Sequence, residues 1–103
     1  MIKYDPNKIP KPLSNPAVGL IIDTLEHHGV SQAKVAKAMN ITPQLLNNVI
    51  KGRKGVSTEL AIRFGLCFDI PASLLVNLQA TYDFQIAYHQ KQAILEKEVK
   101  QIA

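Results

Sequence analysis

No aspartate or glutamate stands between Glu26 and Glu59, although the 103-residue chain carries eight carboxylates in all. The same window holds Lys34, Lys37, Lys51, Arg53 and Lys54. Ser31 to Gly55 therefore carries +5 against a whole-chain charge of +4, which leaves −1 for everything else. Positive charge this local is the electrostatic footprint of a surface that meets a polyanion. A single cysteine, Cys67, excludes an internal disulfide and points to a reducing, cytoplasmic setting. Its place in the helical run Ser57 to Asp69 predicts a buried small hydrophobe rather than a nucleophile. No signal-peptide pattern and no apolar run approaching membrane length is present, so no membrane partner is expected. The three histidines, one cysteine and eight carboxylates make no nucleophile–base spacing and no metal-ligand pattern, and there is no glycine-rich phosphate loop. Neither an enzyme nor a cofactor or metal is expected. His27 and His28 are adjacent, so their side chains diverge on a helix, and they are read as capping or surface residues of its last turn.

Period-two alternation is nearly absent as well. With 47% hydrophobic residues, the chain is long enough for one compact core, and that core is expected to be helical. Within the basic window, SQAKVAKAMNITPQLLNNVIKGRKG, two short amphipathic helices can be built from the residues themselves. Ser31 is a good N-cap, since its hydroxyl accepts from an otherwise unpaired N–H of the first turn. Val35, Ala36 and Met39 then share one face, with Ala36 small where the helices must approach. Asn40 takes the left-handed conformation that ends a helix abruptly. Thr42-Pro43 restarts the chain as N-cap and first helical residue, because proline has no N–H to leave unpaired and already has helical φ. The turn is about three residues long, as a helix-turn-helix requires.

The second helix sorts its side chains by chemistry. Gln44, Asn47, Asn48 and Lys51 stand at i, i+3, i+4 and i+7, whereas Leu46, Val49 and Ile50 fall on the opposite side. Amides suit base reading because each offers an adjacent donor and acceptor, matching adenine N6 and N7, while Lys51 acts on phosphate as a point charge. Gly52 ends the helix, and Arg53 and Lys54 lie where a duplex backbone would pass. A solvated face on a core helix is the bland alternative. The missing carboxylates, the turn chemistry and the stripe together favour a helix in the major groove of double-stranded operator DNA.

These residues resemble the lambdoid-phage repressor and Cro type of helix-turn-helix, the XRE class: Ser31-Gln32, Ala36, the Asn40 turn and the helix from Pro43 to Gly52. A longer ordered set then resembles the HigA-type antitoxins of bacterial toxin–antitoxin modules, without a gap from about residue 15 to 88. It comprises Asn15-Pro16, Gly52-Arg53-Lys54-Gly55-Val56, and Asn77-Leu78-Gln79-Ala80-Thr81-Tyr82-Asp83, an NLQxxYD stretch. The chain departs from that branch at Asn15-Pro16-Ala17-Val18, where a His-Pro-Gly-Glu start is usual, and at Leu75, where tryptophan is common. The resemblance implies an all-α, five-helix, lambda-repressor-like DNA-binding domain with an extended C-terminal helix. It implies that Gln32 holds a phosphate at a helix N-terminus, that Thr42, Pro43, Gln44, Asn47 and Asn48 face the groove, and that Lys51 and Arg53 flank it. It also implies a homodimer that represses its own operon, and an mRNA-cleaving ribonuclease toxin as partner. A phage-type or housekeeping repressor with the same DNA head and no toxin is the alternative. Leu45 is either a contact to a thymine methyl or an edge-of-core residue, and the second is favoured.

Three segments follow from this reading. Residues 1–14 contain Pro6, Pro10 and Pro12 with Lys3, Lys8 and Lys11 and form an extended arm that cannot be helical. The arm reaches a DNA groove, lies across a protein partner, or is disordered surface decoration; the sequence leaves the three open. Residues 15–88 form the DNA-binding domain. A first helix starts after Asn15-Pro16, with Leu20, Ile21 and Leu25 inward, and ends at Gly29. A later one is capped by Ser57 or Thr58 and buries Leu60, Phe64, Cys67 and Phe68, and Pro71 opens the last, with Leu74, Leu75, Leu78 and Tyr82 in the core. Residues 89–103 are expected to be a helical extension, because Tyr88, Leu95 and Ile102 recur every seven residues beside Val99. That stripe suits a second helix from a twin subunit or another protein, the alternative being a frayed tail.

Overall fold

The computed structural model describes residues 8–102. Five helices succeed one another: α1 (Pro16–His28), α2 (Gln32–Met39), α3 (Pro43–Ile50), α4 (Thr58–Phe68) and α5 (Ala72–Glu98). The fold is all-α, as expected, and among the described residues there is no strand. Each short helix starts and stops on a local signal. Asn15 caps α1 by accepting from the Ala17 N–H at 2.9 Å, and the Ser57 hydroxyl caps α4 by accepting from the Leu60 N–H at 3.1 Å. Gly29 (φ 62°) ends α1 in the left-handed region, and its neighbour Val30 donates back to the Leu25 carbonyl at 3.2 Å. The end of α4 is less legible: Asp69 takes φ 55°, a conformation that a short polar side chain tolerates better than most.

The helices close around Phe64, Ile21, Leu46, Leu75 and Val49, all fully buried. α5 lies against α1 and α4, α2 against α3 and α4, and α3 against α1, so every helix contributes to one core. The close crossing of α4 and α5 depends on Gly65. A Cβ at that position would sit 2.5 Å from the carbonyl oxygen of Ile70. At the outer edge of the core, Phe68 packs against Phe64 with ring centroids 4.8 Å apart, and the exposed His28 ring lies 5.2 Å from Phe68.

Three sequence expectations require correction. Cys67 is exposed rather than buried, because the inward face of α4 centres on Ala61, Phe64 and Gly65, and Cys67 lies roughly a quarter turn away. Leu74 is also exposed (44%), since it stands about 100° round the helix from Leu75, which takes the core position. The helix expected through residue 103 stops at Glu98. Val99 is extended (φ −95°, ψ 127°), so the seven-residue stripe ends at Leu95, and Ile102 lies beyond the helix.

At 27 residues α5 is about 40 Å long, and it accounts for the elongation of a molecule measuring 52 × 22 × 21 Å. Phe84 at its middle and Ile94 and Leu95 near its end are exposed. Residues 8–14 form no helix, and the Ile9 carbonyl lies 2.7 Å from Nε2 of His89 on α5, accepting from the ring N–H in the matching tautomer. The arm, in its described part, thus touches α5 at His89. Its expected features at Lys3 and Pro6 lie outside the described residues.

Candidate nucleic-acid interface

The segment from Ser31 to Val56 is held by short-range hydrogen bonds that orient α3 on the rest of the domain. The Ser31 hydroxyl accepts from the Lys34 N–H at 3.2 Å and starts α2. Asn40 (φ 55°, ψ 47°) ends it, and Ile41 donates back to the Ala36 carbonyl at 3.0 Å. Asn40, Ile41 and Thr42 are the whole turn. Thr42 then accepts from the Leu45 N–H at 3.1 Å, with Pro43 as the first helical residue of α3. α2 crosses against α3, and Ala36 is fully buried.

A contact that the sequence did not reveal secures this crossing from outside. Nη1 of Arg63 on α4 donates to the Met39 carbonyl at 3.0 Å, satisfying an orphan acceptor at the end of α2, and Nη2 pairs with Glu59 at 3.1 Å. The spacing of Glu59 and Arg63, i and i+4, makes their pair readable. The bond to Met39, 24 residues away, has no local signal.

α3 has two faces of opposite character. Leu46 and Val49 are fully buried, whereas Gln44 and Lys51 are exposed and Asn47 and Asn48 half-buried. Thr42, Pro43 and Gln32 are exposed too, with Gln32 beside a shallow recess that includes Ile22, Val30 and Ile50. Leu45 is half-buried and lines a second open groove with Thr42, Leu60 and Arg63, which places it at the edge of the core. Lys34, Lys37, Arg53 and Lys54 are exposed. The amide stripe of α3 thus stands opposite its buried face, and the cations that precede and follow it in the chain are exposed.

The loop after α3 is fastened at both ends. Lys51 caps the helix, Gly52 takes φ 74°, and the N–H groups of Gly52 and Arg53 donate to the carbonyls of Val49 (3.0 Å) and Asn48 (2.9 Å). This paired pattern closes the helix end and throws Arg53 and Lys54 outward. At its far end the Val56 N–H donates to Oε1 of Gln79 on α5 at 2.8 Å. The same oxygen accepts from Nδ2 of Asn15 at 2.7 Å, and Nε2 of Gln79 donates to Asp83 at 2.8 Å. Gln79 and Asp83 belong to the NLQxxYD stretch. Through Gln79 the stretch thus joins the N-cap of α1, α5 and the loop after α3.

Among the described residues, no group of three or more His, Cys, Asp or Glu is placed to hold a metal ion. No helix there is long and apolar enough to cross a membrane.

The sequence model of the helix-turn-helix family matches residues 21–75, from the middle of α1 to the buried Leu75 of α5. Over 83 residues the chain is 29% identical to virulence-associated protein I of Dichelobacter nodosus, covering 81% of this chain and 77% of that protein. The fold superposes on the Pseudomonas aeruginosa antitoxin HigA, solved with the higBA promoter. Their TM-score is 0.79 at 28% identity, over 86% of this chain and 97% of the other. A Pseudomonas aeruginosa protein solved in complex with its 18-base-pair operator DNA gives a TM-score of 0.78 at 27% identity, over 90% of this chain and all of the other. The chain belongs to the helix-turn-helix family of the XRE type, and its DNA-binding fold is that of the HigA-type antitoxins.

Proposed function

We propose that the chain is an antitoxin that represses its own operon as a homodimer and neutralises a ribonuclease toxin. The observation that carries the DNA half of this reading is α3 itself. Its stripe of Gln44, Asn47 and Asn48 is exposed or half-buried while Leu46 and Val49 anchor the opposite face, and relatives of the same fold are solved with promoter or operator DNA.

In the proposed complex each α3 enters a major groove, and the two copies address half-sites about 34–36 Å apart on one face of a roughly palindromic operator. Gln44, Asn47 and Asn48 read base edges through paired donor and acceptor groups, with Thr42 and Pro43 at the mouth of the groove. Gln32, at the first position of α2, holds a phosphate where the helix dipole is positive. Lys51, Arg53 and Lys54 neutralise phosphates on either side and supply most of the sequence-independent affinity. Residues 15–88 carry the DNA head, and the arm and the distal part of α5 leave two strips that the operator does not need. A toxin held there is inhibited by occlusion of its active site, and its binding alters operator affinity.

A plain repressor without a toxin is the second reading, and one observation favours it. Gln79 and Asp83 are engaged in fastening the fold, so the NLQxxYD stretch has a structural reason to exist without any toxin.

A gel shift with the DNA upstream of the gene, titrated with salt, tests the DNA half, and a salt-independent or absent shift refutes it. Co-expression with the product of the adjacent gene tests the other half. The expected result is a neighbour that is toxic alone and copurifies with this chain. A harmless neighbour leaves the plain repressor.

A further inference from the structure

Gln79 makes three hydrogen bonds through one side-chain amide, and they leave it a single orientation. Oε1 is shared by two donors, Nδ2 of Asn15 (2.7 Å) and the Val56 N–H (2.8 Å), while Nε2 faces a carboxylate oxygen of Asp83 at 2.8 Å. Flipping the amide would set an NH2 group against two donors and an oxygen against a carboxylate. Asn15 is fixed in turn, because its Oδ1 accepts from the Ala17 N–H at 2.9 Å. The packing is equally specific. A Cβ on Gly55 would lie 3.1 Å from Nε2 and 3.3 Å from Cδ of Gln79, so the loop backbone rests directly on the amide head.

Arg53 and Lys54 stand between two anchors. One is the closed C-terminal end of α3, where both their N–H groups donate to the Asn48 carbonyl, at 2.9 and 3.3 Å. The other is the bond from Val56, one residue past Gly55, to Gln79. From this we infer that Gln79 is a positioning residue for DNA binding: through Val56 and Gly55 it holds the loop that presents Arg53 and Lys54 to the duplex backbone. The inference rests on the reading of those two cations as phosphate contacts. It also gives the NLQxxYD stretch a role in DNA affinity, although the stretch lies on α5, remote in sequence from the recognition helix. Acting through the loop, Gln79 would have an effect blind to operator sequence.

The test needs variants that remove the bonds without adding charge, since a new carboxylate would weaken DNA binding by itself. Gln79→Met keeps the approximate length and the neutrality of the side chain and makes none of the three hydrogen bonds. It should lose about tenfold in affinity for operator and random duplex alike, with a salt slope shallower by about one to two, as two phosphate contacts become less frequent. A purely structural role would lower the melting temperature but leave affinity and slope unchanged in protein that is folded at the assay temperature. Q79E combined with D83N conserves the net charge and rebuilds the network, with the carboxylate introduced at position 79 accepting from Asn15, Val56 and the new amide at position 83. That double variant should bind as the wild type does, and it carries the test if Q79M does not fold. Folded Q79M with wild-type affinity and slope overturns the inference, as does a folded double variant that binds about tenfold more weakly than wild type. Wild-type protein that binds no duplex in a salt-dependent way overturns the DNA reading itself, a separate and distinguishable result.

Discussion

Replacing Gly65 by alanine places a methyl group 2.5 Å from the Ile70 carbonyl oxygen and 3.3 Å from the Ala72 backbone nitrogen. Both atoms belong to the corner between α4 and α5, and neither can rotate away as a side-chain end would. Relief requires a shift of the corner that leads to the fully buried Leu75. An alanine in a helix interior gains about 1 kcal/mol over glycine, whereas overpacking a close contact costs about 1–3 kcal/mol. The clash wins because its partners are backbone, and the net change should be a destabilisation of up to about 2 kcal/mol. Gly19 supplies the control. It lies within α1, and a Cβ there meets nothing within 4 Å outside the local helix backbone, so Gly19→Ala should stabilise by about 0.5–1 kcal/mol. Thermal and urea denaturation followed by circular dichroism, at matched protein concentration, reads both changes, at about 4–8 °C per kcal/mol with an unchanged urea slope. A Gly65→Ala protein as stable as Gly19→Ala would show that the helices do not cross as closely as described.

Asn48→Ala and Gln44→Ala should each cost about 1–3 kcal/mol on the operator and almost nothing on random duplex, since base edges are what paired amides distinguish. Equal losses on both duplexes would remove the base-reading role. Lys51→Ala and Arg53→Ala should weaken both duplexes and reduce the salt slope by about one each; an unchanged slope would make them solvating residues only. Ending the chain after Tyr88 should leave the core folded, because every residue of the buried core precedes the cut, and should release the arm by removing His89. It should also weaken self-association, and sedimentation of both proteins at several concentrations measures this. Identical dimer dissociation constants would deny residues 89–103 a part in the dimer.

Much of the scaffold was legible because its signals act within one helical turn. Ser31, Thr42 and Ser57 cap helices by accepting from N–H groups three residues on, and Gly29, Asn40 and Gly52 end helices through their own backbone conformation. The division of α3 into an apolar and an amide face is likewise a matter of about 100° per residue, and Leu46 and Val49 are buried where that period puts them.

Periodicity says which residues share a face, but not how wide a neighbour's cover will be. Cys67 and Leu74 sit at the flanks of apolar stripes, and only the positions of α4 and α5 relative to each other left both exposed. The same holds for contacts between distant segments. Arg63 meets the Met39 carbonyl across 24 residues, Asn15 meets Gln79 across 64, and His89 meets Ile9 across 80. A side chain carries no record of a partner that folding brings to it from so far away. The sequence by itself determined the caps, the turn, the basic window and the two faces of α3, all set by bonds and angles between near neighbours. Only the tertiary structure decided that Gln79 would fasten the loop bearing Arg53 and Lys54, because that bond exists only after three separate segments have packed together.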